Sequence, residues 1–524
     1  MPLDLRPWRR IGGTRLQRGR AADLTADHSD YRGPLNPAVE GAFLFMAGPQ
    51  ICATVTGRST DAFRTARTAA EPDADLIELR LDTMDRPDPA AALNGRRRPA
   101  IVTCRPVREG GHFAGSEEER RRILEDACAL GAEFVDVEWD AGFDGLIRSR
   151  GGRGVVMSRH DFSGTPSSLS DLLNEMHASG SEIVKLAVNT RSLSDLVHLL
   201  EARPPFEAIL IGLGAAGVSS RILAARFGSR WTYAGDGVAP GQLSTTRLLQ
   251  EFRFRRIRPD AAVYGVLGRP VMNSLSSAMH NAGFDAAGLN AVYVPLEASD
   301  VADFRRFAAA MDLRGASVTI PFKVDVTSQL DEVSPLATAV GAVNTIVVTN
   351  QRWIGTNTDV DGFLSPLKRR AAIRGLRATV LGAGGAARAV GYALAQEGAK
   401  VSISARRTDA ADTIARAIGA RTDSWPPPAD SWDLLVNATP VGSRAVPGSP
   451  VSSVAHHGIV YDLIYDPNPT ELMQLAAHAK CEVIGGLDML VAQAERQFEL
   501  WTGQRPPAGL FADAAAQAIR KRES

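Results

Sequence analysis

Cysteine is scarce in this sequence, four among 524 residues, and Cys52, Cys104, Cys128 and Cys481 fall into no CxxC pair and no metal-ligand spacing. A disulfide framework and a zinc site are both unsupported, no metal is called for, and a reducing compartment, the cytoplasm, is the expected location. Long apolar runs are missing too: the longest, such as Ala208 to Val218, is short and broken by glycine. Nothing near Met1 has the apolar core of a signal peptide, and no membrane segment is expected. Net charge is absent, since Lys+Arg and Asp+Glu both number 59, so no summed field draws the chain to nucleic acid or to an anionic membrane. Any anion recognition must be local.

Lysine is rare as well. Only six of the 59 basic residues are lysines, at 185, 323, 368, 400, 480 and 521. Where bare charge suffices this chain uses arginine, so a lysine in an unusual place points to a primary amine, which can form a Schiff base or exchange a proton. Lys185 is in such a place, inside the apolar run Glu182-Ile-Val-Lys-Leu-Ala-Val188. The alternative is a lysine whose stem is buried and whose head escapes to water.

What remains is ordinary for a globular chain: 44% hydrophobic, 23% charged and 6% aromatic residues. At about 150 residues per domain, the length allows three or so domains, or two if one is a barrel. Residues 1–20 carry six arginines against one Asp without helical periodicity, and residues 1–48 are expected to form a disordered leader. From Gln50 to about Ala234, short β-branched runs alternate with amphipathic segments. Eight strands are predicted, beginning near Ile51, Asp75, Ala100, Glu133, Gly154, Glu182, Glu207 and Trp231. The last leads through Ala239-Pro-Gly-Gln242 into a final helix. Eight βα units in about 200 residues predict an α/β fold that opens with a compact (β/α)8 barrel at 49–257, its chemistry at the C-terminal strand ends. Glu78 and Arg80 end the second strand, Arg105 and Glu109 follow the third, His160 follows the fifth, Lys185 sits in the sixth and Arg221 follows the seventh. A strand-end arginine alone is commonly a surface ion pair; joint placement at one end of a barrel is not so readily explained.

A basic, Pro-terminated stretch at Arg253 to Pro259 is read as a linker between halves with separate cores. Beyond it, Val263-Tyr-Gly-Val-Leu267 opens a second α/β region. Arg377-Ala-Thr-Val-Leu-Gly-Ala-Gly-Gly-Ala-Ala387 is a strand, a glycine turn and a helix start, the context in which backbone N–H groups cradle a dinucleotide pyrophosphate. The next strand, from Lys400, ends at Arg406 and Arg407, where a carboxylate would select NAD; guanidiniums there suit the 2′-phosphate of NADP.

These motifs carry a resemblance. The first half resembles type I 3-dehydroquinate dehydratase at Asp75-Leu-Ile-Glu-Leu-Arg-Leu-Asp82, Thr103-Cys-Arg-Pro-Val-Arg-Glu-Gly-Gly111, Val156-Met-Ser-Arg-His-Asp-Phe162, Ile183-Val-Lys-Leu-Ala187 and Ala239-Pro-Gly-Gln242. The second resembles shikimate dehydrogenase at Gly265-Val-Leu-Gly-Arg-Pro270 with Ser274 and Ser276, Val318-Thr-Ile-Pro-Phe-Lys323, Gly341-Ala-Val-Asn-Thr345, Asn357-Thr-Asp359, Asn437-Ala-Thr-Pro440, Tyr461-Asp462 and Met489-Leu-Val-Ala-Gln493. The resemblance implies a bifunctional enzyme that dehydrates 3-dehydroquinate to 3-dehydroshikimate and reduces this to shikimate with NADPH. Its partners are then small molecules; the residues specify no oligomeric state. It implies a substrate-binding domain at 261–365 plus 487–524 and a Rossmann NADP-binding domain at 366–486.

For the barrel it implies Lys185 as Schiff-base amine, His160 as acid and base, and Glu109 as its orienting partner, with Thr54, Glu78, Arg80, Arg105, Arg221 and Gln242 holding substrate. An iminium is a far better electron sink than the ketone for loss of the α-proton. For the second half it implies Lys323 and Asp359 as the catalytic pair, with Ser274, Ser276, Thr319, Asn344, Tyr461 and Gln493 on the substrate. Gly382, Ala383, Gly384, Gly385, Ala386, Arg406, Arg407, Thr408, Ile459 and Gly486 are implied on the cofactor. Val238, Asn273, Ser317 and Arg406 depart from the families' common residues without removing a catalytic group. Rival readings are a catabolic quinate/shikimate dehydrogenase fused to a dehydratase, a metabolite-sensing regulator without turnover, a chain with only one active half, and an aldolase-type barrel. Arg406 and Arg407, the full catalytic set, and His160 among arginines count against the first, second and last in turn.

Overall fold

The computed structural model describes residues 50–454 and 457–523; the leader expected at 1–48 lies outside the described residues. The alternating pattern produces eight parallel strands: β1 (Gln50–Val55), β2 (Leu76–Arg80), β3 (Ala100–Thr103), β4 (Phe134–Glu138), β5 (Val155–Asp161), β6 (Ile183–Asn189), β7 (Ala208–Leu213) and β8 (Trp231–Ala234). All begin within one residue of the predicted positions. Their order is β7-β6-β5-β4-β3-β2-β1-β8. The ends of this sheet meet at Ser229 and Arg230, where the Arg230 N–H donates to the Ala208 carbonyl at 3.0 Å, nearly closing a barrel. Two details differ from expectation. His160 lies within β5 rather than after it, and the final barrel helix is one turn, Arg247–Glu251.

The second region contains two sheets. The first has the order β10-β9-β11-β13-β14-β12, formed by β9 (Ala262–Gly268), β10 (Ala291–Glu297), β11 (Leu313–Val318), β12 (Glu332–Val333), β13 (Thr345–Thr349) and β14 (Arg352–Thr356). The other is fully parallel, β17-β16-β15-β18-β19-β20, formed by β15 (Arg377–Leu381), β16 (Lys400–Ser404), β17 (Arg421–Asp423), β18 (Leu434–Asn437), β19 (Ile459–Asp462) and β20 (Glu482–Gly485). Its strand order reverses between β15 and β18, and such a switch point opens a crevice at the C-terminal strand ends. The 17-residue helix Gly486–Thr502 then returns to pack on helix Asp359–Lys368. No helix among the described residues is long and apolar enough to cross a membrane.

The expectation of two halves with separate cores is corrected. One apolar cluster runs from Ile51 to Trp353, taking in Leu193, Leu196 and Leu199 of the barrel and Phe304 and Phe307 of the second region. Barrel helix Leu193–Glu201 packs against helix Val301–Ala310, apolar stripe on apolar stripe. The stretch read as a linker is itself anchored: Phe254 and Ile257 are buried, and Arg253 and Arg256 both pair with Asp285.

Asp303 pins this interface. Its buried carboxylate accepts the N–H groups of Leu193 (3.0 Å) and Ser194 (2.7 Å) and the Ser194 hydroxyl (2.6 Å), at the N-terminus of the barrel helix. Burial alone would raise its pKa, but the Ser194 hydroxyl and these amides outweigh it and hold the group below the ordinary value. A depressed carboxylate stabilises the fold above its unfolded pKa and loses that contribution as pH falls through the folded one. Asp303→Asn is expected to cost about 2 kcal/mol at neutral pH. In denaturant titrations its difference from the parent should shrink toward pH 3; a difference independent of pH would contradict the assignment.

Candidate active sites

At the C-terminal mouth of the barrel a cavity of about 150 Å3 is lined by all nine barrel residues singled out from the sequence: Thr54, Glu78, Arg80, Arg105, Glu109, His160, Lys185, Arg221 and Gln242. Strand alternation explains the convergence, because inward positions on neighbouring parallel strands face one another. The Lys185 amine is buried, 3.1 Å from Asp136 and 3.4 Å from Glu78, and lies 4.1 Å from the centre of the Tyr233 ring. Glu78 is held by the Thr54 and Thr103 hydroxyls, both at 3.1 Å, and Gln242 donates to Thr54 at 3.1 Å. The sequence reading placed an apolar strand and guanidiniums around Lys185 and missed Asp136. Asp136 and Glu138 alternate in β4 as buried acids on one face of an apolar strand, and that spacing was the available signal.

The three arginines read as substrate ligands differ. Arg80 is committed to Asp82, at 2.9 and 2.8 Å. Arg105 is committed to Asp136 (3.0 Å), Ser158 (2.9 Å) and the Nδ1 of His160 (2.8 Å). Arg221 has no carboxylate partner among the described residues; its one hydrogen bond is a long 3.4 Å contact to the Pro240 carbonyl, and Nε has none. Burial lowers its pKa to about 10. A buried guanidinium without an anion is costly unless a ligand supplies one.

His160 Nδ1 also lies 2.9 Å from Glu109. Burial, and after it the charges of Arg105 and Lys185, push His160 well below the ordinary imidazole value. Burial raises Glu109 from 4.5 to about 7, against the pull of Arg105. The two contacts at Nδ1 belong to different tautomers: an unprotonated Nδ1 accepts from the Arg105 guanidinium, which can only donate, whereas an Nδ1–H donates to ionised Glu109 and leaves the Nε2 lone pair free as a base. Because this folded pKa is raised, its contribution to stability is full below about 4.5 and is lost as pH rises through about 7. Glu109→Gln cannot titrate, so above pH 8 it should be more stable than the parent by roughly 3 kcal/mol while its dehydration rate falls. Urea midpoints measured from pH 5 to 8.5 check this; parallel curves would contradict it.

A second cavity, about 480 Å3, lies between the two remaining sheets and is lined by Ser274, Ser276, Thr319, Lys323, Asn344, Asp359, Ala386, Gly486 and Gln493 among others. Lys323 donates to Asp359 at 2.5 Å, and the other oxygen of Asp359 accepts from Asn344 at 2.7 Å. Asn344 also reaches Thr358 at 3.0 Å and Gln493 at 3.5 Å. Gln497, one turn beyond Gln493, donates to Thr345 (3.0 Å) and accepts from Ser317 (2.7 Å), fixing the wall behind them. Gln497 was not foreseen, though its spacing from Gln493 puts both on one helix face.

The glycine turn sits at the C-terminal end of β15. Gly382 has φ +110°, and a Cβ there would press on Ala438 and Thr439. A Cβ on Gly385 would run into the Lys323 side chain at 2.9 Å, so this glycine lets the helix that starts there approach the lysine. With Ala383 and Gly384, these residues leave a backbone cradle at a helix N-terminus, which fits a dinucleotide. Arg406 and Arg407 are exposed beyond the end of β16, and Thr408 begins the following helix.

Two assignments are corrected. Tyr461 is fully buried inside β19, stacked on Phe363 with ring centres 4.9 Å apart, and does not line the cavity; Tyr465, past the strand end, does. Ile459 starts β19 at the opposite, N-terminal edge of the sheet, whereas Leu463 lines the cavity. The turn that carries Leu463 and Tyr465 inward is fixed by Asp462, which accepts from Asn437 (2.9 Å), Thr470 (2.6 Å) and the Ile464 N–H (3.1 Å).

Comparison with known proteins gives three family matches: "Type I 3-dehydroquinase" over residues 51–259, "Shikimate dehydrogenase substrate binding domain" over 266–346 and "Shikimate 5'-dehydrogenase C-terminal domain" over 486–516. A chloroplastic bifunctional 3-dehydroquinate dehydratase/shikimate dehydrogenase of Arabidopsis thaliana is 34% identical over 504 residues, covering 88% of this chain and 83% of that one. A shikimate dehydrogenase (NADP(+)) of Methanopyrus kandleri is 40% identical over 281 residues, 49% of this chain and 96% of that one. A solved structure of dehydroquinate dehydratase and shikimate dehydrogenase from S. pombe is 25% identical with a TM-score of 0.42, covering 90% of this chain and 99% of that chain.

Proposed function

The chain belongs to the bifunctional 3-dehydroquinate dehydratase/shikimate dehydrogenase family, and from that premise we propose how its residues divide the two reactions. Residues 49–257 dehydrate 3-dehydroquinate; residues 261–365 with 487–524 bind 3-dehydroshikimate, and residues 366–486 bind NADP. The observation that carries the first reaction is a buried amine, a buried histidine and an anion-free arginine in one small cavity.

Arg221 takes the substrate carboxylate, while Thr54, Glu78 and Gln242 meet its hydroxyls. Lys185 gives up a proton, its free amine attacks the ketone, and the proton returns to the carbinolamine oxygen, which leaves as water to give an iminium. His160 removes the α-proton, the electron pair is drawn toward the iminium nitrogen, and the same imidazole returns the proton to the departing hydroxyl. Arg105 and Glu109 fix the imidazole between them. Water then hydrolyses the iminium and restores the amine.

In the second site NADPH, when bound, supplies the hydride. Lys323 gives a proton to the alkoxide formed at the ketone carbon, and Asp359, held by Asn344, fixes the lysine at that oxygen. Ser274, Ser276, Thr319, Gln493 and Tyr465 surround the remaining substrate groups. Gly382 to Ala386 would cradle the pyrophosphate, and Leu463 and Gly486 lie along the same edge. Arg406 and Arg407 would pair with the 2′-phosphate. Changing both arginines to neutral residues should weaken NADPH by about tenfold or more relative to NADH, in initial rates with 3-dehydroshikimate; equal losses would make them ordinary surface charge. The four described cysteines, all free thiols, accord with a cytoplasmic location.

A further inference from the structure

Three consecutive residues at the rim of the dehydrogenase cavity, Met272, Asn273 and Ser274, have their carbonyls held from outside their own sheet. Arg247, in the last helical turn of the barrel, donates Nη2 to the Met272 carbonyl at 3.0 Å. Arg522, in the C-terminal helix Leu510–Glu523, donates Nη1 to the Asn273 carbonyl at 2.6 Å and Nη2 to the Ser274 carbonyl at 3.3 Å. Both guanidiniums converge on one buried carboxylate, Glu251 of the barrel. Arg247 reaches it at 2.8 and 3.2 Å, and Arg522 at 3.4 Å. Before these three residues the chain is tied to its own sheet region by the Arg269 N–H to the Ile320 carbonyl (3.0 Å) and the Val271 N–H to Glu297 (3.3 Å), and at their end the Ser274 hydroxyl accepts the Ser276 N–H at 3.2 Å, starting the helix that carries Ser276.

We propose that Glu251 is a positioning residue for the dehydrogenase: the barrel's last turn, through Arg247 and Arg522, sets the loop that presents Ser274 and Ser276 to substrate. The inference rests on the reading of this cavity as the 3-dehydroshikimate/shikimate site. The physical argument is that each guanidinium has planar, fixed donors, so a carboxylate that fixes both also fixes the three carbonyls they grip. Loss of the carboxylate frees two arginines to turn toward water, and the loop then samples conformations in which the serines no longer converge. The cost falls on substrate binding. Glu251 does not line the cavity that holds Lys323 and Asp359, and its hydrogen bonds go to Arg247 and Arg522, so proton transfer and cofactor binding are not its task. The lining of the barrel cavity does not include it.

The test is steady-state kinetics of shikimate oxidation with NADP+ in the full-length chain, comparing the parent with Glu251→Gln, Arg522→Met and the double variant. Glu251→Gln keeps the side-chain shape, and Arg522→Met acts on the same loop without altering the barrel should the first variant fold poorly. Each single change is expected to raise the KM for shikimate about tenfold, with kcat and the KM for NADP+ within about twofold and dehydration unchanged. The double variant should be no worse than the worse single, because both act through one loop. Arg522→Lys, which keeps the charge and a donor, should recover part of the affinity. An unchanged KM for shikimate, parallel loss of NADP+ affinity or kcat, or strictly additive effects would overturn the proposal. A parent with no shikimate oxidation would sink the substrate assignment itself, and the bracing with it.

Discussion

Lys185→Arg should abolish dehydration of 3-dehydroquinate while leaving reduction of 3-dehydroshikimate near the parent rate. Arginine keeps the positive charge beside Asp136 and Glu78 and can occupy much of the same volume, but it forms no Schiff base, so loss on the order of a thousandfold or more is expected for a covalent catalyst. Borohydride added with 3-dehydroquinate should inactivate the parent and leave a reduced adduct on the peptide containing Lys185. Borohydride alone should not. An adduct confined to another lysine, or an active Lys185→Arg enzyme, would contradict the assignment.

The second large effect concerns the Lys323–Asp359 pair. Lys323→Met keeps the stem that packs beside Gly385 and removes the proton donor, and Asp359→Asn keeps the shape and removes the charge. Each should lower 3-dehydroshikimate reduction by about a hundredfold or more, as expected for a positioned acid-base group. Supplied with 3-dehydroquinate, either variant should accumulate 3-dehydroshikimate, visible by chromatography. If Asp359→Asn retains full activity, the carboxylate only braces Asn344.

The barrel was legible because its evidence is local: each strand is a short β-branched run, and strand-end polar residues must face one another once eight such units close. Asp136 escaped because a mid-strand acid is ordinarily one that faces water, unless its alternation with Glu138 is weighed against the apolar run around it. The Tyr461 assignment failed because Tyr-Asp-x-x-Tyr carries a second tyrosine, Tyr465, that was not considered, and which of the two clears the strand depends on where β19 stops. The shared core was invisible for another reason. An apolar stripe on helix Leu193–Glu201 looks the same whether it faces its own barrel or a neighbour, and Asp303, in the first turn of its own helix, looks like a carboxylate that serves that helix. Its partners, more than a hundred residues earlier in the chain, follow only from the packed fold. The same holds for Glu251. A cut near Pro259 would therefore separate the dehydrogenase from part of its core and from the turn that supports its substrate loop.

The central claim, that one chain performs both reactions, is tested most directly by giving the purified full-length protein 3-dehydroquinate and NADPH together and following products and absorbance. The account predicts shikimate, formed with equimolar loss of NADPH and with 3-dehydroshikimate as the only carbon intermediate. Conversion that stops at 3-dehydroshikimate with NADPH untouched, or 3-dehydroquinate that is not consumed while added 3-dehydroshikimate is reduced, would contradict it.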